Sequence, residues 1–187
     1  MSDQNMEKIY TGIGARETPE NITAILEKLA AFLADEKYVL RSGAAEGASA
    51  AFERGCDSAG GPKEIYLPWR GFNGNNSNIY TVTEKALAIV SRFNPAWVTL
   101  NDSAKKLQGR YAHSILGEGL NRPSKFIICY TKEGKKKGGT GQALKVAERY
   151  TIPVIDLGDF DEDPSSMPTA VKEFLTAQGV DAGKLEL

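Results

Sequence analysis

Two periods of apolar and polar positions alternate along the chain. Ile9, Tyr10 and Ile13, then Tyr38-Val-Leu40, Lys63 to Pro68, Phe126-Ile-Ile-Cys-Tyr130 and Pro153 to Leu157 read as short strands. The run from Phe126 shows no alternation, which suits a central place in a sheet. Between these runs apolar residues recur at helical spacing. Ile22, Ile25, Leu26, Leu29, Ala30, Phe32 and Leu33 predict an amphipathic helix over residues 19–36. Further helices are expected over Ala48 to about Ser58, over Thr81 to Phe93 with Asn94-Pro95 as its stop, and over Ser103 to Leu120 with the stripe Leu107, Tyr111, Ile115, Leu116. Two more span Gln142 to Tyr150 and Ala170 to Ala177, the latter after an acidic Pro/Ser segment from Asp159 to Pro168. Trp69 to Tyr80 holds too many Gly and Asn residues for regular structure.

The order β-α-β-α-β-α-α-β-α-β-α predicts an α/β fold: a doubly wound, Rossmann-like, five-stranded parallel sheet of order 3-2-1-4-5 with helices on both faces, as one domain over residues 1–187. In such a sheet the ligand crevice lies where the strand order reverses, between the loops after the first and fourth strands. Those loops are Gly12–Pro19 and Thr131–Gly141, both rich in glycine, and a third small-residue turn, Arg41-Ser-Gly-Ala-Ala-Glu-Gly47, lies beside them. Gly12 and Gly14 permit tight or positive-φ backbone and close approach of main-chain N–H groups, while Thr18-Pro19 marks a helix entry with Thr18 as cap. Amides at such a helix start face an anion, and Arg16 supplies a planar fork for phosphate or carboxylate. The competing reading is an ordinary βα turn with a solvated arginine.

Charge narrows the ligand. With 23 basic and 24 acidic side chains the chain carries a formal −1, so contact with nucleic acid has to come from a local basic cluster. Cys56 and Cys129 are far apart and have no neighbours at zinc-like spacing, which points to reduced thiols and no structural metal. The polar N-terminus, Ser2 to Asn5, and the lack of an apolar run near the roughly 18–20 residues of a membrane span lead to the expectation of a cytoplasmic protein.

The loops also resemble a known superfamily. Gly12-Ile-Gly-Ala-Arg16 with Thr18, Arg41-Ser-Gly-Ala-Ala-Glu-Gly47 followed by Ala50-Ala51, and Gly138-Gly-Thr-Gly-Gln-Ala-Leu144 with Ile152-Pro-Val154 are similar to the elements of the DprA/Smf and LOG-like Rossmann proteins often called SLOG. The resemblance spans nearly the whole chain and is nearest to short stand-alone DprA-like proteins of phage genomes. It implies binding of a phosphate-bearing nucleotide or nucleotide-derived ligand, or of single-stranded DNA, by a homodimer or higher homo-oligomer, with no cofactor. The alternative it implies is a LOG-type nucleotide N-glycosidase that releases a base from a nucleoside monophosphate. Against that, Lys145 stands where the LOG motif has its glutamate, whereas Ser49, in place of the aspartate of the second element, is a departure from the DprA pattern.

The candidate ligand-binding residues are therefore Gly12, Gly14, Ala15, Arg16, Ser42, Gly43, Glu46, Lys137, Gly138, Gly139, Thr140 and Gly141, and the candidate catalytic pair is Glu46 and Arg110. Each has a plainer reading. Glu46 is a ribose ligand or a helix cap, Arg110 a site residue or a surface salt bridge, and Lys135 to Lys137 a phosphate contact or a solvated run. Trp69, Phe72 and Asn73 either stack on a base or plug the sheet edge, and His113, the only histidine, is a packed or exposed helix residue.

Overall fold

Every residue of Phe126–Tyr130 is buried, and around this strand, β4, the sheet is built. The computed structural model describes residues 7–187, so the polar stretch Ser2 to Asn5 lies outside the described residues. Strands β1 (Ile9–Gly14), β2 (Val39–Ser42), β3 (Lys63–Ile65), β4 and β5 (Val154–Asp156) form one parallel sheet in the order β3-β2-β1-β4-β5. β1 pairs with β4 from Tyr10–Phe126 to Gly14–Tyr130, so the strand order reverses at the centre of the molecule, as the sequence predicts.

Alternate strand residues serve opposite faces. Tyr10, Phe126, Ile128 and Tyr130 pack with α1 (Glu20–Asp35), α2 (Ala48–Ser58) and α6 (Met167–Ala177). Ile13, Ile127 and Cys129 pack with α3 (Glu84–Ser91), α4 (Asp102–Leu116) and α5 (Gly138–Arg149). Each fully buried Leu, Ile or Phe contributes about 1.5–3 kcal/mol, and the leucines at 26, 29 and 33 of α1 are completely enclosed. The two cysteines divide between the layers, Cys56 with the first and Cys129 with the second, and both are buried free thiols.

Several element ends differ from the sequence expectation. α4 stops at Leu116 because Gly117 turns to φ 85, and α3 is confined to eight residues. β1 runs through Gly12 and Gly14, neither of which takes a positive φ. These glycines make room for packing: a Cβ on Gly12 would meet the Phe52 ring at 2.5 Å, and one on Gly14 would meet the Ala48 Cβ at 2.6 Å. Thr18 does not cap α1. Its hydroxyl donates to the Ala15 carbonyl (2.6 Å), and the N-cap is Pro19. Most consequential, α5 starts at Gly138, so Gly138–Gly141 forms the first helical turn.

Candidate functional site

A cavity of about 590 Å³ opens at the carboxyl ends of β1 and β4. Gly14, Ala15 and Arg16 line one side, Thr131, Lys132, Glu133, Lys135 and Lys137 to Thr140 another, and Ala104, Leu107, Gln108, Arg110 and Tyr111 of α4 a third. The first N–H groups of an α-helix have no partner further back in the helix, and with the helix dipole they make the start of α5 attractive to an anion.

Arg110 is 3% exposed, although the sequence left a surface salt bridge open. Its Nε donates to the Gly43 carbonyl (2.9 Å), another N–H donates to Leu107 O, and its guanidinium lies over the rings of Tyr111 (4.6 Å) and Phe72 (5.1 Å). Among the described residues no carboxylate lies within ion-pair distance of Arg110, Arg16 or Lys137. Burial pulls the Arg110 pKa down, Tyr111 opposes this, and the nearby Arg16 charge adds to the depression. A buried cation facing a second cation across an open cavity is stabilised by an incoming anion.

The lysine loop between β4 and α5 is shaped by carboxylates from the end of β5 and the segment that follows it. Asp156, 2% exposed, accepts from the Thr131 N–H (2.8 Å), the Thr131 hydroxyl and the Gly158 N–H (3.0 Å). Asp161 accepts from the Glu133 N–H (2.7 Å), and Asp159 pairs with Lys136 (3.0 Å). Held this way, Glu133 and Lys136 take left-handed φ values of 54 and 49, a conformation that costs a non-glycine residue energy. The three lysines therefore differ in role: Lys135 pairs with Glu133, Lys136 with Asp159, and Lys137 lines the cavity without an acidic partner.

The other nominated residues fall outside the lining. The Ser42 hydroxyl donates to the Gly12 carbonyl (2.7 Å), Gly43 seats Arg110, and Gly141 lets α5 press on the Lys136 carbonyl. Glu46 is exposed and borders a separate hollow with Ala44, Glu53 and Asn73 to Asn75. Phe72 packs against the small cluster of Ala44, Ile65 and Leu67, and Asn73 donates to Ala44 O (2.9 Å), so this loop closes the sheet edge. His113 is packed: Nδ1 donates to Gly117 O (3.2 Å), Nε2 accepts from the Thr83 N–H (3.3 Å), and the ring stacks on Tyr66. Among the described residues no group of three or more His, Cys, Asp or Glu could hold a metal ion, and no helix is long and apolar enough to cross a membrane.

Sequence reasoning nominated Arg110 from the α4 wall but missed Ala104, Leu107, Gln108 and Tyr111 beside it, and Glu133. The stripe Leu107-Tyr111 was legible, but not that its upper end leaves the core and faces the cavity.

With sheet order and switch-point cavity established, comparison with solved structures settles the architecture. The structure of the Moco carrier protein of Chlamydomonas rheinhardtii aligns with 91% of this chain and 99% of its own, at a TM-score of 0.53 and 19% identity. The fold is Rossmann-like. A second structure of the molybdenum cofactor carrier protein from Chlamydomonas reinhardtii covers the same shares at 17% identity and a TM-score of 0.42. No protein-family model matches the chain, and no curated protein matches it in sequence. In a Rossmann-like sheet the reversal point is the usual ligand position, and the cavity found here occupies it.

Proposed function

We propose that the chain binds a phosphate-bearing nucleotide or nucleotide-derived ligand, with the phosphate at the start of α5 between Arg16 and Gly138 to Thr140. The carrying observation is Arg110: a guanidinium 3% exposed, without a carboxylate partner among the described residues, in the wall of a cavity that also holds Arg16 and Lys137. A ligand phosphate supplies the missing negative charge. Ala15, Ala45, Leu107 and Tyr111 offer the apolar surface against which the rest of a nucleotide packs.

In this reading the protein is a SLOG-type, DprA-like binding module of the cytoplasm, acting as a homo-oligomer, and its ligand is a free nucleotide or the end of a single DNA strand. The carrier in the name of the similar structure agrees with holding a ligand rather than converting it. Glycoside cleavage requires a carboxylate near the sugar. Glu46, the nominated acid, borders another hollow, and Glu133, the only carboxylate in the lining, pairs with Lys135, so binding is the better reading. Mass spectrometry of the natively purified protein tests it: a co-purifying nucleotide is expected. Release of free base from added nucleoside monophosphates, abolished by Glu133→Gln or Glu46→Gln, would replace it with the enzymatic reading.

A further inference from the structure

One wall residue has its hydrogen-bonding direction fixed from outside the cavity. The Ala96 backbone N–H donates to Asn94 Oδ1 (2.9 Å), and a backbone N–H has no other polarity to offer. Asn94 Nδ2 is therefore turned toward Gln108, where it donates to Oε1 (3.0 Å). Gln108 is half-buried on α4 and lines the cavity, and among the described residues its Nε2 has no hydrogen-bond partner. The chain of bonds runs from backbone to Asn94 to Gln108 and leaves a pair of N–H donors free on a residue that lines the cavity.

We infer that Gln108, oriented by Asn94, selects a ligand whose base carries a carbonyl acceptor, a 6-oxopurine in preference to a 6-aminopurine. This rests on the nucleotide reading and adds the class of base. An unconstrained glutamine recognises adenine with both ends of its amide, accepting from the 6-amino group and donating to N7. Here Asn94 already takes one of the two lone pairs at the accepting end. The donating end matches O6 and N7 of an oxopurine, both acceptors. Tyr111, one turn along α4 from Leu107, gives the base an apolar wall beside that donor.

The test is calorimetric titration of the protein with inosine monophosphate and adenosine monophosphate. The parent should bind the inosine nucleotide about fivefold or more tightly than the adenosine one, the low end for a well-placed bidentate contact. Gln108→Glu keeps an oxygen for Asn94 but turns an acceptor into the cavity, so the preference should invert. Asn94→Ala frees the amide to flip and should bring the ratio toward one. If both nucleotides bind, Arg16→Ala weakens both, and Gln108→Glu leaves their ratio unchanged, the base selection is overturned while the phosphate site stands. If neither nucleotide binds the parent, the nucleotide reading is overturned and the selection with it.

Discussion

Arg110 shows how much a single side chain can reveal once its surroundings are known. Its hydrogen bonds go to carbonyls and its stacking partners are rings, so its charge is positioned but not neutralised within the described chain. Arg16, exposed on the loop after β1, is the accessible member of the pair. Arg16→Ala should weaken binding of a nucleoside monophosphate by about 1.5–3 kcal/mol, the range for a hydrogen bond to a charged group, and leave thermal stability nearly unchanged; calorimetry on both proteins checks this. Gly139→Val acts by shape. A Cβ at Gly139 would stand 3.1 Å from the Tyr111 ring, so the variant should fold, displace Tyr111 into the cavity and weaken nucleotides far more than it weakens the fold. His113 carries a separate prediction. Burial holds its pKa below the ordinary 6.5, and its two ring bonds fit the neutral form. The unfolded chain then takes up the proton first, so stability contributed at neutral pH is lost as pH falls below about 6.5. Thermal melts from pH 7.5 to 5 should show this decline, and His113→Gln should flatten that part of it.

Among the elements, the lysine loop depends most on distant support. Asp156 satisfies three donors at the base of the loop, and its removal strands buried N–H groups. Asp156→Ala should cost about 3 kcal/mol, the upper part of the range for bonds to a charged group, and should loosen nucleotide binding as well; denaturant unfolding beside titration separates the two. Strand order and crevice were legible in the sequence because each strand is a short apolar run and the longest such run, at Phe126, had to be central. Arg16 and the Gly138 turn were legible from local composition. The burial of Arg110 was not, because it depends on Gly43, Phe72 and Tyr111 meeting around it from three separate stretches. The role of the acids at and after the end of β5 was hidden for a similar reason: Asp156 looks like a strand residue, and Asp159 and Asp161 like part of a solvated run, until the fold sets them under the lysines.

For the molecule as a whole, a formal charge of −1 conceals an uneven distribution. Five basic side chains line the cavity against one carboxylate. If a DNA strand end is the ligand, affinity for single strands should be modest and should fall steeply with salt, by about 0.7 logarithmic units per phosphate contact for each decade of salt. Fluorescence anisotropy at low and moderate salt checks this, and an unchanged curve argues for a free nucleotide instead. The two thiols supply another molecule-wide reading. Cys56 is buried between α1 and α2 with its pKa pushed up to about 11, and Cys129 is buried on the other side of the sheet, where burial also raises its pKa. Neither reacts readily with an alkylating reagent while its layer is closed, since the thiolate is the reactive form. Each cysteine is thus a built-in clock for one layer. Under native conditions the alkylation rate at Cys56 times the opening of the α1–α2 side, the rate at Cys129 times that of the α4–α5 side, and a bound nucleotide should slow the second clock more than the first.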